Sequence, residues 1–103
     1  MRSGLIKRPA AEDDIEECFL HIAKDNREIG SAFLIAVENS LKELAEFSLL
    51  GKAIKFRDKE LGNVRMWHVK GFDNYLIFYT AHGDNIIVIR VLHGSRDIDD
   101  LLS

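Results

Sequence analysis

The hydrophobic pattern is densest towards the C-terminal end of the chain. Two runs rich in β-branched and aromatic residues, 75–81 and 86–92, flank His82-Gly83-Asp84-Asn85. Such runs fit a pleated, half-buried surface. Gly83-Asp84 suits the positive-φ positions of a tight hairpin turn. The second run, Ile86-Ile87-Val88-Ile89-Arg90-Val91-Leu92, barely alternates. A nearly continuous apolar run implies burial on both faces, which predicts a central strand. The chain before it must supply the cover.

That cover is readable as two helices. Residues 4–8 predict a short strand, because the residue before Pro9 is pushed towards extended backbone. Pro9 also suits the first turn of a helix, where its missing N–H costs nothing. Over 10–25, Ala11, Ile15, Cys18, Phe19 and Ile22 recur at three- and four-residue spacing, one face of a helix. Glu12, Asp13, Asp14 and Glu16 lie near its start and Lys24 near its end, both favourable to the helix dipole. A second helix is predicted over 27–47, with Asn26 as N-cap. Its stripe is Ile29, Phe33, Ala36, Val37, Ser40, Leu41 and Leu44. With almost no loop between them, the two helices form an antiparallel hairpin. Ile35 falls opposite the stripe. A lone exposed aliphatic there is common; a protein contact is the sharper reading.

Residues 48–62 read as a polar, basic connector. In 64–69, Val64, Met66 and His68 share one face, and Arg65, Trp67 and Val69 the other. Residues 71–74 carry the next turn signal, and 98–102 form a short apolar tail. The order is β-α-α-β-β-β. This is an α+β fold in two layers, an N-terminal strand and a helix hairpin packed on a mainly antiparallel sheet. Ile15, Phe19, Phe33, Val37, Leu41, Leu44, Phe78, Val88 and Ile89 are expected to share one core.

At 103 residues, 47% hydrophobic and 30% charged, the chain fits one globular domain over 1–103. A formal charge of −3 argues against a general nucleic-acid binder. The average conceals an asymmetry. Residues 51–70 hold Lys52, Lys55, Arg57, Lys59, Arg65 and Lys70 against Asp58 and Glu60, while residues 12–17 hold five acids and no base. The lone Cys18 excludes an internal disulfide and a thiolate zinc site. Residues 1–8 contain no long apolar run, so neither a signal peptide nor a membrane span is expected, and the expected location is the cytoplasm.

No phosphate-binding glycine loop, His-Glu-x-x-His or Gly-x-Ser-x-Gly is present, and no cofactor or metal is expected. His21 and His82 read as structural or solvated. His93 follows the central strand and precedes Gly94. Beside Arg96 and Asp97 it serves either acid/base work or, the favoured reading, a loop held by hydrogen bonds. Arg65, Arg90 and His93 could approach one another on the sheet. Together they suit phosphodiester cleavage, or pairing with the acids of a partner protein.

Leu76-Ile77-Phe78-Tyr79 and the run 88–97, Val-Ile-Arg-Val-Leu-His-Gly-Ser-Arg-Asp, resemble the signature of ParE-type toxins of the RelE/ParE group. Pro9-Ala10-Ala11 with its acidic helix, Ala45-Glu46-Phe47 and Gly51 also resemble the family pattern. The resemblance implies the β-α-α-β-β-β fold and a type II toxin–antitoxin function in plasmid stabilisation. It also implies a small ParD-like antitoxin held in a hetero-oligomer, with DNA gyrase as the target. The related RelE proteins cut mRNA on the ribosome with basic residues and a C-terminal tyrosine or histidine. Arg65, Arg90 and His93 match that site in part, but the C-terminal tyrosine is absent. The expectation is therefore a non-enzymatic gyrase inhibitor without sequence-specific nucleic-acid binding; the alternative is a ribosome-dependent mRNA endonuclease. Arg65, Trp67 and Arg96 are the expected target contacts, since Trp and Arg are enriched among binding hot spots. Ile35, Lys52, Lys55 and Lys59 are the expected antitoxin contacts, the lysines by attraction to acidic residues.

Overall fold

A computed structural model describes residues 4–55 and 63–102 of the chain. In order, the elements are β1 (Gly4–Lys7), α1 (Pro9–Asp25), α2 (Arg27–Glu46), β2 (Lys52–Ile54), β3 (Val64–Val69), β4 (Phe72–His82), β5 (Asn85–His93) and α3 (Ile98–Leu102). The strands form one sheet in the order β1-β5-β4-β3-β2. Only β1 and β5 run parallel; the other neighbours are antiparallel. The α+β class and the mainly antiparallel sheet agree with the sequence pattern.

The helices start where local chemistry permits. Pro9 occupies the first turn of α1, with extended Arg8 as its N-cap. Asn26 ends α1 and caps α2, its side chain accepting the Ile29 N–H at 3.1 Å. The hairpin between β4 and β5 closes on the pair His82 and Asn85. Gly83 takes φ +64° there, a left-handed value that glycine adopts without steric cost. Asp84 keeps a negative φ, so only one of the two turn residues needs the special conformation, as in a type II′ turn.

β5 lies between β1 and β4 over its first half, residues 85–88, and its uniform apolar run has a geometric explanation. The β4–β5 register pairs Phe78 with Arg90 but Tyr79 with Val88, so Ile89 is an extra residue. A bulge of this kind resets the alternation of faces. Ile86, Val88 and Val91 consequently join Phe33, Val37, Leu41 and Leu44 under the helices. Ile89 and Leu92 point the other way, with Phe78, Val64 and Leu102.

The expectation of a single core in two layers is therefore corrected. Phe78 and Ile89 belong to a second cluster on the far face of the sheet, covered by α3. The apolar tail is short, but its Ile98, Leu101 and Leu102 close that face. The connector is corrected too, since residues 52–54 pair with β3 as an extra edge strand. Phe72, Asp73 and Asn74 belong to β4, and the turn before them is Lys70-Gly71. The faces predicted for β3 hold: Trp67 and Val69 pack on the helix side, Val64 and Met66 on the other.

Candidate functional site

Two arrangements of polar side chains sit on the sheet, one at each side. The first lies where β5 outruns its neighbour. β1 pairs with β5 only as far as Val88, so beyond it the side of β5 facing away from β4 has no strand beside it among the described residues. Asp14 of α1 fills that place. Its carboxylate accepts the Val91 N–H at 3.1 Å and two bonds from Arg90, Nε at 2.6 Å and Nη2 at 2.8 Å. Arg90 Nη1 also donates to the Leu101 carbonyl at 3.2 Å. The bulge turns this arginine along the sheet edge, where it ties α1 on one face to α3 on the other. The hydrogen bond it donates to Asp14 raises its already high pKa, against the opposing effect of burial. Asp14 is only 6% exposed, and a buried charge of this kind persists only with matched partners.

Beside this pair lies an open cleft of about 320 Å³, lined among others by Asp14, Cys18, His21, Tyr75, His93 and Arg96. His93 Nδ1 accepts the Ser95 N–H at 3.0 Å, with Ser95 Oγ 2.8 Å away. The imidazole meets the Tyr75 ring edge to face, centroids 5.0 Å apart. These contacts give the loop-holding geometry expected of His93. Cys18 has its thiol pKa pushed up to about 11, first by burial and then by Asp14 and Glu17, with Arg96 opposing. A thiol held protonated is a poor nucleophile. Burial likewise raises Tyr75. Arg96 is exposed and lies 3.7 Å from Glu17. Among the described residues, no three His, Cys, Asp or Glu side chains converge as a metal-binding group.

The second arrangement lies at the β2–β3 side. Tyr79 is fully buried, yet its hydroxyl is satisfied twice. It accepts the Gly51 N–H at 2.8 Å and donates to the Ser48 carbonyl at 2.8 Å. Burial raises its pKa, with the Gly51 bond and Arg65 opposing. Arg65 Nη1 donates to the Gly51 carbonyl at 2.6 Å, with the Leu49 carbonyl at 3.5 Å. The loop 47–51 is thereby fastened to the sheet. Only glycine fits at 51, since a Cβ there would stand 2.5 Å from the Tyr79 hydroxyl.

The candidate residues are thus dispersed. Arg65 pairs across strands with Tyr79, whereas His93 pairs with Tyr75, two strands and four residues away. His93 lines the cleft, whereas Arg90 is committed to Asp14 and Leu101. Trp67 is half-buried against the helix-side core. Ile35, at 63% exposure, stands free on α2. Lys52 and Lys55 are exposed, and Lys59 lies outside the described residues. Sequence reasoning counted Asp14 among the dipole acids and gave Tyr79 no role. A signal for Asp14 existed: it stands three residues after Ala11 and four before Cys18, on the apolar stripe. An acid on a buried stripe calls for a buried partner.

Residues 5–98 match the family model described as ParE toxin of type II toxin-antitoxin system, parDE. No curated protein matches the sequence.

Proposed function

The chain belongs to the ParE toxin family of type II toxin–antitoxin systems, and from that premise we propose that it inhibits DNA gyrase by surface contact rather than by catalysis. The family match supplies a toxin role and an antitoxin partner. One observation favours an inhibitor over an mRNA endonuclease: both sheet arginines are spent inside the fold. Arg90 is held by Asp14 and the Leu101 carbonyl, and Arg65 by the Gly51 carbonyl. A nuclease needs such cations free to meet the scissile phosphate. A net charge of −3 also suits tight RNA binding poorly. An inhibitor needs only a complementary surface, to which exposed Arg96 and half-exposed Trp67 would contribute. The protein works in the cytoplasm, where both gyrase and a co-translated antitoxin are found, and its antitoxin holds it silent in a hetero-oligomer. This role would maintain a plasmid through cell division. None of its described helices is long and apolar enough to cross a membrane.

Purified chain, gyrase, ATP and supercoiled plasmid should accumulate protein-linked, cleaved DNA, and the antitoxin should abolish it. Codon-specific mRNA cleavage on ribosomes, with gyrase unaffected, would overturn the proposal. His93→Gln keeps one hydrogen-bonding atom for the loop while removing the titratable group. It should leave growth inhibition largely intact in cells lacking the antitoxin.

A further inference from the structure

We propose that β2 and the loop 47–51 are a preformed docking edge for an acidic, apolar-rich extended segment of the antitoxin, which adds as a strand beside β2. The inference rests on the toxin–antitoxin reading and deepens it by naming the surface.

Three observations carry it. The loop displays large apolar side chains to solvent, Phe47 at 57% and Leu49 at 68% exposure, with Leu50 beside them. Clustered exposed apolar groups mark interaction sites. The other exposed aliphatics, Ile6, Leu20, Ile29 and Ile35, are spread over β1, α1 and α2; exposed aliphatics spaced out in this way are ordinary on a surface. Second, this apolar loop is rigidly held. The Leu50 N–H donates to Phe47 O at 3.2 Å, and Tyr79 and Arg65 anchor residues 48–51 from beneath. A surface already ordered avoids much of the entropy that binding otherwise costs. Third, the loop runs straight into β2, the outermost strand. Among the described residues no strand lies on its outer side. Such an edge presents backbone donors and acceptors to an added strand.

Charge selects the occupant. Residues 47–55 contain Lys52 and Lys55 and no acid. Both lysines are exposed, and neither has an ion-pair partner among the described residues. A second copy docked edge to edge would set these lysines against their own counterparts. An acidic segment would neutralise them and be steered in by them.

Hydrogen–deuterium exchange would compare the chain alone with its complex, the probe being the small protein of the neighbouring reading frame that rescues growth. Amides of 47–54 should slow on binding, while those of Gly4–Lys7 at the opposite edge should not change. Leu49→Asp should weaken the complex, and Lys52→Glu with Lys55→Glu should slow association at low salt, each by about tenfold, with unchanged circular dichroism. A complex that forms without protecting 47–54, or that all these variants form normally, would overturn the docking edge and leave the toxin–antitoxin reading standing. A homodimer of the chain alone that Leu49→Asp dissolves would give the edge to a second copy, and protection seen only with gyrase would give it to the target; either overturns the proposal. No complex at all would remove both readings.

Discussion

Beyond Val88, β5 loses its β1 neighbour, and a carboxylate from α1 stands in the gap; beyond β2, the described residues place no strand. At the first edge Asp14 takes the Val91 N–H and the Arg90 guanidinium, so the backbone is satisfied within the chain. At the second, the polar anchoring by Tyr79 and Arg65 lies behind the loop, and the exposed side chains are leucines, a phenylalanine and lysines that have no ion-pair partner among the described residues. Sheet edges invite pairing with other chains and are usually blunted in some way. Here the stretch of β5 left bare by β1 is closed by a buried ion pair, and the β2 edge is braced but left open among the described residues. The difference separates the arginines that sequence reasoning grouped with His93. Arg90 serves the closed edge and Arg65 the scaffold of the open one.

The comparison can be broken most severely at the closed edge. Asp14→Ala leaves a buried guanidinium and a backbone N–H without partners, and should cost about 3–5 kcal/mol in urea unfolding. Replacing both partners, Asp14→Leu with Arg90→Met, should recover much of that loss, because no buried charge remains. A loss under about 1 kcal/mol for Asp14→Ala would mean that the edge is open after all.

A smaller effect is expected from the scaffold behind the open edge. Tyr79→Phe removes the acceptor for the Gly51 N–H and should cost about 1–3 kcal/mol. Amide exchange over 48–51 should speed up more than exchange over α1, which would place the damage in the loop. Gly51→Ala should do similar harm through its contact with the tyrosine ring. At the open edge itself, Lys52→Glu with Lys55→Glu should change the stability of the free chain by no more than about 0.5 kcal/mol. A larger loss would show that these lysines have partners within the fold.

The mildest test uses pH. Cys18 sits one turn beyond Asp14, with its Sγ 3.9 Å from the Val91 carbonyl, and its pKa is raised from 9.0 to about 11. Between these values the folded chain keeps a proton that the unfolded chain has lost. The contribution is therefore fully present below pH 9 and declines as pH rises through about 11. Cys18→Ala should flatten that decline in stability. Alkylation of the native thiol should be slow at pH 8 and accelerate towards pH 11.

Much of the architecture is legible in the sequence. Periodicity identified the stripes of both helices, Pro9 and Asn26 marked their starts, and Gly83 marked the hairpin, because each acts through near neighbours in the chain. The uniform run 86–92 announced a central strand, since burial on both faces erases alternation. Tertiary structure decided the rest. β2 is three residues long, too short for a period, and exists because β3 offers it a register. The tail becomes α3 because the far face of the sheet needs cover. The bulge at Ile89 depends on pairing with β4, and Arg90 directly after it meets Asp14, 76 positions away in the chain. Local patterns report which faces are apolar, whereas the partner of a buried charge is chosen by elements that meet only when the chain has folded.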